Sequence, residues 1–174
     1  MQGSTTNKST SPEISVRYEA AWLKAQLPFS KREAHLLLGK MAARLALLCP
    51  GYRPRIRCLF CTDSSMAELN LAYLGVPGPT NTLAFETNGP DNSTDHAHPS
   101  RVEYGAGELY FCVPQYLREL TLYGQEPEDY AIFLLAHAMS HLAGLDHGAI
   151  MDDISEKLLV AGKQTIAEFQ ACTA

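Results

Sequence analysis

Apolar and polar residues alternate from Glu13 to Glu19 (EISVRYE), placing Ile14, Val16 and Tyr18 on one face and predicting a first strand. Pro28 closes the next connection. Ser30, followed three residues later by Glu33, forms a capping box, and the apolar spacing from Ala34 to Cys49 predicts a helix that ends before Pro50-Gly51. Alternation returns from Arg55 to Cys61, with Ile56, Cys58 and Phe60 on one face and Arg53, Arg55 and Arg57 on the other. Ser65 with Glu68 predicts a short capped helix through Tyr73, stopped by Gly75 and Pro77. Thr80 to Thr87 reads as a third strand and Gly107 to Val113 as a fourth; Pro114 then opens a short helical segment. A longer helix is predicted from Pro127 through Ala143, ended by Gly144, and a last amphipathic helix from Gly148 to about Phe169.

Two stretches break this rhythm. Residues 1–12 are Ser/Thr/Asn-rich and read as a disordered tail, leaving 13–172 as one domain. Asn88 to Gly105 is rich in Asn, Asp, Ser, Pro and Gly, and is longer than most connections in compact domains, which marks it as an insertion loop. About four strands interspersed with about five helices predict an α+β (mixed α/β) fold around a single sheet.

Composition narrows the class. A chain of 174 residues that is 46% hydrophobic and 19% charged is a soluble globular protein with room for one sizeable core. The longest apolar run, Tyr130 to Ala136, is far too short to span a membrane. The polar amino terminus has no signal-peptide core, so a cytoplasmic location is the expectation and the N-x-S/T matches at Asn7 and Asn92 carry little weight. A net charge of −5 argues against holding nucleic acid by bulk charge, DNA included, but allows a local basic patch. Cys58 and Cys61 form a C-x-x-C inside a strand, where core thiols are the simpler reading.

The chemistry concentrates in LLAHAMSHLAGLDHGAIMD, where His137, His141 and His147 follow an H-x(3)-H-x(5)-H spacing. Residues four apart share a helix face about 6 Å apart, and Gly144 can turn the chain so that His147 returns toward the first two. Three imidazoles on an otherwise apolar segment are costly to bury without a shared partner. With zinc they leave one position open for a water whose pKa falls toward neutrality, so the expected site is a metal cleft formed by the histidine helix and the turn after it. His35, His96 and His98 lack such a setting.

The same histidines and Gly144 fit the metzincin motif H-E-x-x-H-x-x-G-x-x-H, but Ala138 stands where the general-base glutamate belongs, which argues against a peptidase. HAMSHLAGLDH more fully resembles the motif H-G-x-x-H-L-x-G-[YF]-D-H of the YbeY endoribonuclease family, keeping Leu142, Gly144 and Asp146-His147. Upstream, LNLAYLGVPGPTNTLAFE is similar to that family's L-N-x-x-[YF]-R-x(5)-T-[DN]-V-L-S-F at Leu69, Asn70, Tyr73, Thr80, Asn81, Leu83 and Phe85, and GELYF resembles its G-[DE]-I block at Gly107, Glu108 and Leu109.

This resemblance implies a zinc-dependent, single-strand-specific endoribonuclease of 16S rRNA 3′-end maturation and ribosome biogenesis. RNA and the ribosome would be its partners, and His137, His141 and His147 would hold one Zn2+. Asp146, placed with them in the catalytic set, would orient a histidine or cap the turn. Glu108, Asp146 and Asp152 are the candidate general bases. The departures are Leu74 where the family has an arginine able to clamp phosphate, Ala84 for serine and Ala138 for glycine. Leu74 opens two alternatives: a noncatalytic metal-binding ribosome-associated factor, or a metal-dependent hydrolase of another substrate. The arginine stripe at Arg53, Arg55 and Arg57 could supply phosphate contacts or be a solvated outer sheet face.

Overall fold

A computed structural model describes residues 12–49, 54–86 and 106–173; the 1–12 tail, except its last residue, Arg53 and the 88–105 insertion lie outside them. Four strands, β1 (Glu13–Tyr18), β2 (Arg55–Cys61), β3 (Thr82–Glu86) and β4 (Ala106–Cys112), form one sheet in the order β1-β2-β4-β3. β1, β2 and β4 run parallel, and β3 is antiparallel to β4 at the sheet edge. The helices are α1 (Lys31–Leu48), α2 (Asp63–Leu74), α3 (Val113–Tyr123), α4 (Pro127–Leu142) and α5 (Ala149–Thr173). A short 3-10 helix, Ala21–Gln26, adds a sixth helical segment to the five expected. The mixed α/β class and the single four-stranded sheet stand as the sequence implied.

Alternation along the strands assigns the two faces of the sheet. Val16, Ile56, Cys58, Phe60, Leu109 and Phe111 point into the main core with Leu37, Leu38 and Met41 of α1, Leu135 of α4 and Leu158 of α5. Cys61, Leu83 and Cys112 face the other way and pack with Met66 of α2 in a smaller cluster. Cys58 and Cys61 are three residues apart on a strand and so lie on opposite faces, which excludes a bond between them. Burial also pushes the Cys61 and Cys112 thiols up to about 12, as expected of inert core thiols.

Local chemistry explains the boundaries. Both halves of the α1 capping box form: the Ser30 N–H donates to Glu33 at 2.8 Å and the Glu33 N–H to the Ser30 hydroxyl at 3.3 Å. At α2 the expected Ser65–Glu68 start is replaced by one at Asp63, and its cap comes from a distant residue. Glu19 accepts from the Thr62 N–H at 2.8 Å and from the Ser65 hydroxyl at 2.7 Å. None of the described helices is long and apolar enough to cross a membrane.

Candidate metal centre

Helix α4 is buried nearly all round: Ala131, Ile132, Leu134, Leu135, Ala136, Ala138, Met139, Ser140 and Leu142 all face protein. One stripe is left, carrying Tyr130, Phe133, His137 and His141 at steps of three or four residues. The end of α4 reaches the sheet because β4 has a glycine there; a Cβ on Gly107 would stand 2.5 Å from Leu142 Cδ2. In the last turn of α4, the Ser140 hydroxyl donates to the Ala136 carbonyl at 3.0 Å and lies 2.8 Å from Ser155, tying α4 to α5.

Past α4, Gly144 takes φ +72°, a left-handed conformation that turns the chain, and its N–H donates to the His141 carbonyl at 2.9 Å. A Cβ on Gly144 would meet Glu86 Oε1 at 3.2 Å, so the carboxylate at the end of β3 stands beside this turn. The turn brings the third imidazole back. Ring centroids are 4.9 Å apart for His137 and His141, 5.3 Å for His137 and His147, and 4.8 Å for His141 and His147. One nitrogen from each lies within 4.8 Å of the other two.

The protonation pattern suits a cation. His141 Nδ1 is 3.0 Å from the Leu145 carbonyl. A carbonyl only accepts, so Nδ1 carries the proton and the Nε2 lone pair is free. Burial, and then the neighbouring His141 and His147, hold His137 below the ordinary imidazole value, while Asp152 opposes them. A depressed pKa keeps that ring neutral, the form that binds metal. Three imidazole nitrogens gathered at the C-terminal end of α4 and the turn after it, where the helix dipole favours positive charge, fit a single divalent ion.

The other residues singled out from the sequence are dispersed. Asp146 is exposed, and among the described residues the bond that orients His141 comes from Leu145 instead. Asp152 sits in the first turn of α5. Glu108 lies on the sheet face away from α4, paired with Arg57 at 2.7 Å and accepting from the Tyr110 hydroxyl at 2.8 Å. Arg55 pairs with Glu13 at 3.0 Å on that same face. Leu74 is 59% exposed at the end of α2, next to Tyr73, whose ring packs 4.5 Å from Phe85.

Sequence reading missed the polar support of the stripe. Buried Glu119 accepts from the Tyr130 hydroxyl at 2.7 Å, Asn81 Nδ2 at 3.0 Å and Gln115 Nε2 at 2.9 Å. Burial, followed by the Glu119 hydrogen bond and charge, raises the Tyr130 hydroxyl well above its ordinary pKa, so it remains a donor. Asn81 also accepts from the Thr82 N–H at 2.7 Å, so one network joins β3, α3 and α4. Asn81 stood in a matched motif, but nothing in the helical pattern of α3 distinguished Glu119 from a surface carboxylate.

The comparisons agree with this arrangement. The family model described as "Endoribonuclease YbeY" matches residues 23–169. The chain is 33% identical over 144 residues to "Endoribonuclease YbeY" of Oleidesulfovibrio alaskensis, covering 76% of this chain and 82% of that one. It is 33% identical over 147 residues to the protein of the same name from Nitratidesulfovibrio vulgaris, covering 79% and 85%. A Thermotoga maritima protein solved in solution shares the fold, with a TM-score of 0.50 at 20% identity, covering 91% of this chain and 92% of that one. A family match that takes in three of the four strands, the glycine turn and all three histidines means that this chain belongs to the endoribonuclease YbeY family.

Proposed function

We propose that this protein is a zinc-dependent endoribonuclease that cuts single-stranded RNA at the 3′ end of 16S rRNA during ribosome biogenesis in the cytoplasm. The observation that carries the reading is the convergence of His137, His141 and His147, with His141 oriented by Leu145, in a chain of this family. When bound, a divalent ion supplies polarisation of a phosphoryl oxygen and acidification of a coordinated water. The protein's part is to present three imidazole nitrogens at fixed spacing and to keep the cleft rigid through the Ser140–Ser155 and Glu119–Tyr130 contacts. Asp152, whose charge acts on His137, and Glu86, beside the Gly144 turn, are the carboxylates this reading offers, with Asp146, as proton acceptors.

A second reading, a metal-binding ribosome-associated factor that no longer cleaves, is favoured by exposed Leu74 where the family has an arginine. Cleavage of an unstructured RNA by the wild type, His141→Ala and Leu74→Arg proteins separates the two. The first reading expects cleavage that His141→Ala reduces about 100-fold or more. The second expects none from the wild type, and its appearance in Leu74→Arg would assign the loss to one guanidinium.

A further inference from the structure

The stripe on α4 does not end at the metal ligands. Phe133 lies 6.2 Å from His137 with planes 27° apart, Tyr130 lies 6.0 Å from Phe133 at 14°, and Tyr116 stands 6.2 Å from Tyr130 at 14°. Phe133 is 45% exposed, although the other large apolar side chains of α4 are buried, Tyr130 being partly so. The row is also held in place: the Tyr130 hydroxyl is fixed on buried Glu119, and that network anchors the start of β3.

Charge around the site points to the same kind of ligand. The chain carries −5 overall, and Arg55 and Arg57 are paired with carboxylates on the opposite sheet face. Among the described residues, Glu86 beside the glycine turn, Asp146 next to His147 and Asp152 acting on His137 are all negative, and Leu74 brings no cation. Apart from a bound ion, the described residues here offer phosphates little attraction, whereas the faces of unpaired bases do not depend on charge. A duplex covers those faces with neighbouring base pairs, so a stacking surface distinguishes single from double strands.

Resting on the RNA reading above, we propose that Phe133 and Tyr130, in line with His137, form a platform on which the unpaired bases next to the scissile phosphate stack, and that this platform sets the preference for single strands. Stacking on aromatic side chains tolerates any base, so the preference is for unpaired RNA and not for a sequence. Because few phosphates meet cations, affinity for RNA falls only shallowly with salt.

The test uses the full, zinc-loaded chain and a labelled, uncleavable 2′-O-methyl oligonucleotide of about ten residues, within the range one single-strand site spans. Phe133→Ala weakens binding about tenfold or more while zinc content and helix content stay at wild-type values. Phe133→Trp binds as the wild type does, and in a Trp22→Phe background its fluorescence is quenched by the oligonucleotide. Replacing the bases by abasic residues weakens binding to the wild type and leaves Phe133→Ala unaffected. Binding by Phe133→Ala within twofold of the wild type, or equal binding of the abasic strand, overturns the platform while leaving the RNA reading intact. A wild-type chain that neither binds nor cleaves RNA overturns both.

Discussion

At Gly107 and Gly144 the lack of a side chain sets where the histidines stand. Gly144 supplies the positive φ that returns His147, and Gly107 lets Leu142, next to His141, touch the backbone of β4. Both glycines lie in motifs readable from the sequence, but their reasons are three-dimensional, since Gly107 is 35 residues before the leucine it accommodates. Gly107→Ala places a Cβ 2.5 Å from buried Leu142, so the end of α4 must shift. We expect a loss of about 1–3 kcal/mol in urea denaturation together with weaker zinc binding in a competition titration. Gly39, inside α1, is the contrast: a Cβ there makes an ordinary 3.9 Å contact with Ile14, and Gly39→Ala should stabilise by about 0.5–1 kcal/mol with zinc binding unchanged.

Among the elements, periodicity located the four strands and five α-helices but not the 3-10 helix at Ala21–Gln26, and it set the third strand two residues early and the start of α2 too late. The capping box read at Ser65 fails because Ser65 gives its hydroxyl to Glu19, 46 residues away, and the same carboxylate accepts from the N–H of Thr62, the N-cap three residues earlier. Burial works to raise the Glu19 pKa, but hydrogen bonds from Ser65 and Thr62 outweigh it and hold the carboxyl below its ordinary value of 4.5. A folded-state pKa below the unfolded one contributes stability that is present above about pH 4.5 and is lost as pH falls through the folded value. Glu19→Gln should therefore lower stability at pH 7 by about 1 kcal/mol, roughly 2–4 °C in Tm, and show a smaller further loss on acidification than the wild type. Thermal scans between neutral and acid pH check both parts.

For the whole molecule, the fold class and the clustering of the three histidines were legible because each is written in local spacing: alternation for the sheet, three and four for the helices, and H-x(3)-H-x(5)-H for the cluster. What escaped depends on contacts between distant segments. The bond that holds His141 comes from the backbone carbonyl of Leu145, a partner no side-chain pattern announces. The arginines of β2 form a solvated face paired with Glu13 and Glu108, a partnership set by strand register and invisible in the chain order. The central claim, that the three histidines hold a metal on which RNA cleavage depends, is tested most directly by stripping the protein with a chelator and following cleavage of a single-stranded RNA as zinc is returned. The account predicts that the stripped chain is inactive and that the rate rises with added zinc, levelling off near one equivalent per chain. Undiminished cleavage by the stripped protein, or zinc restoring the rate equally in His141→Ala, would contradict it.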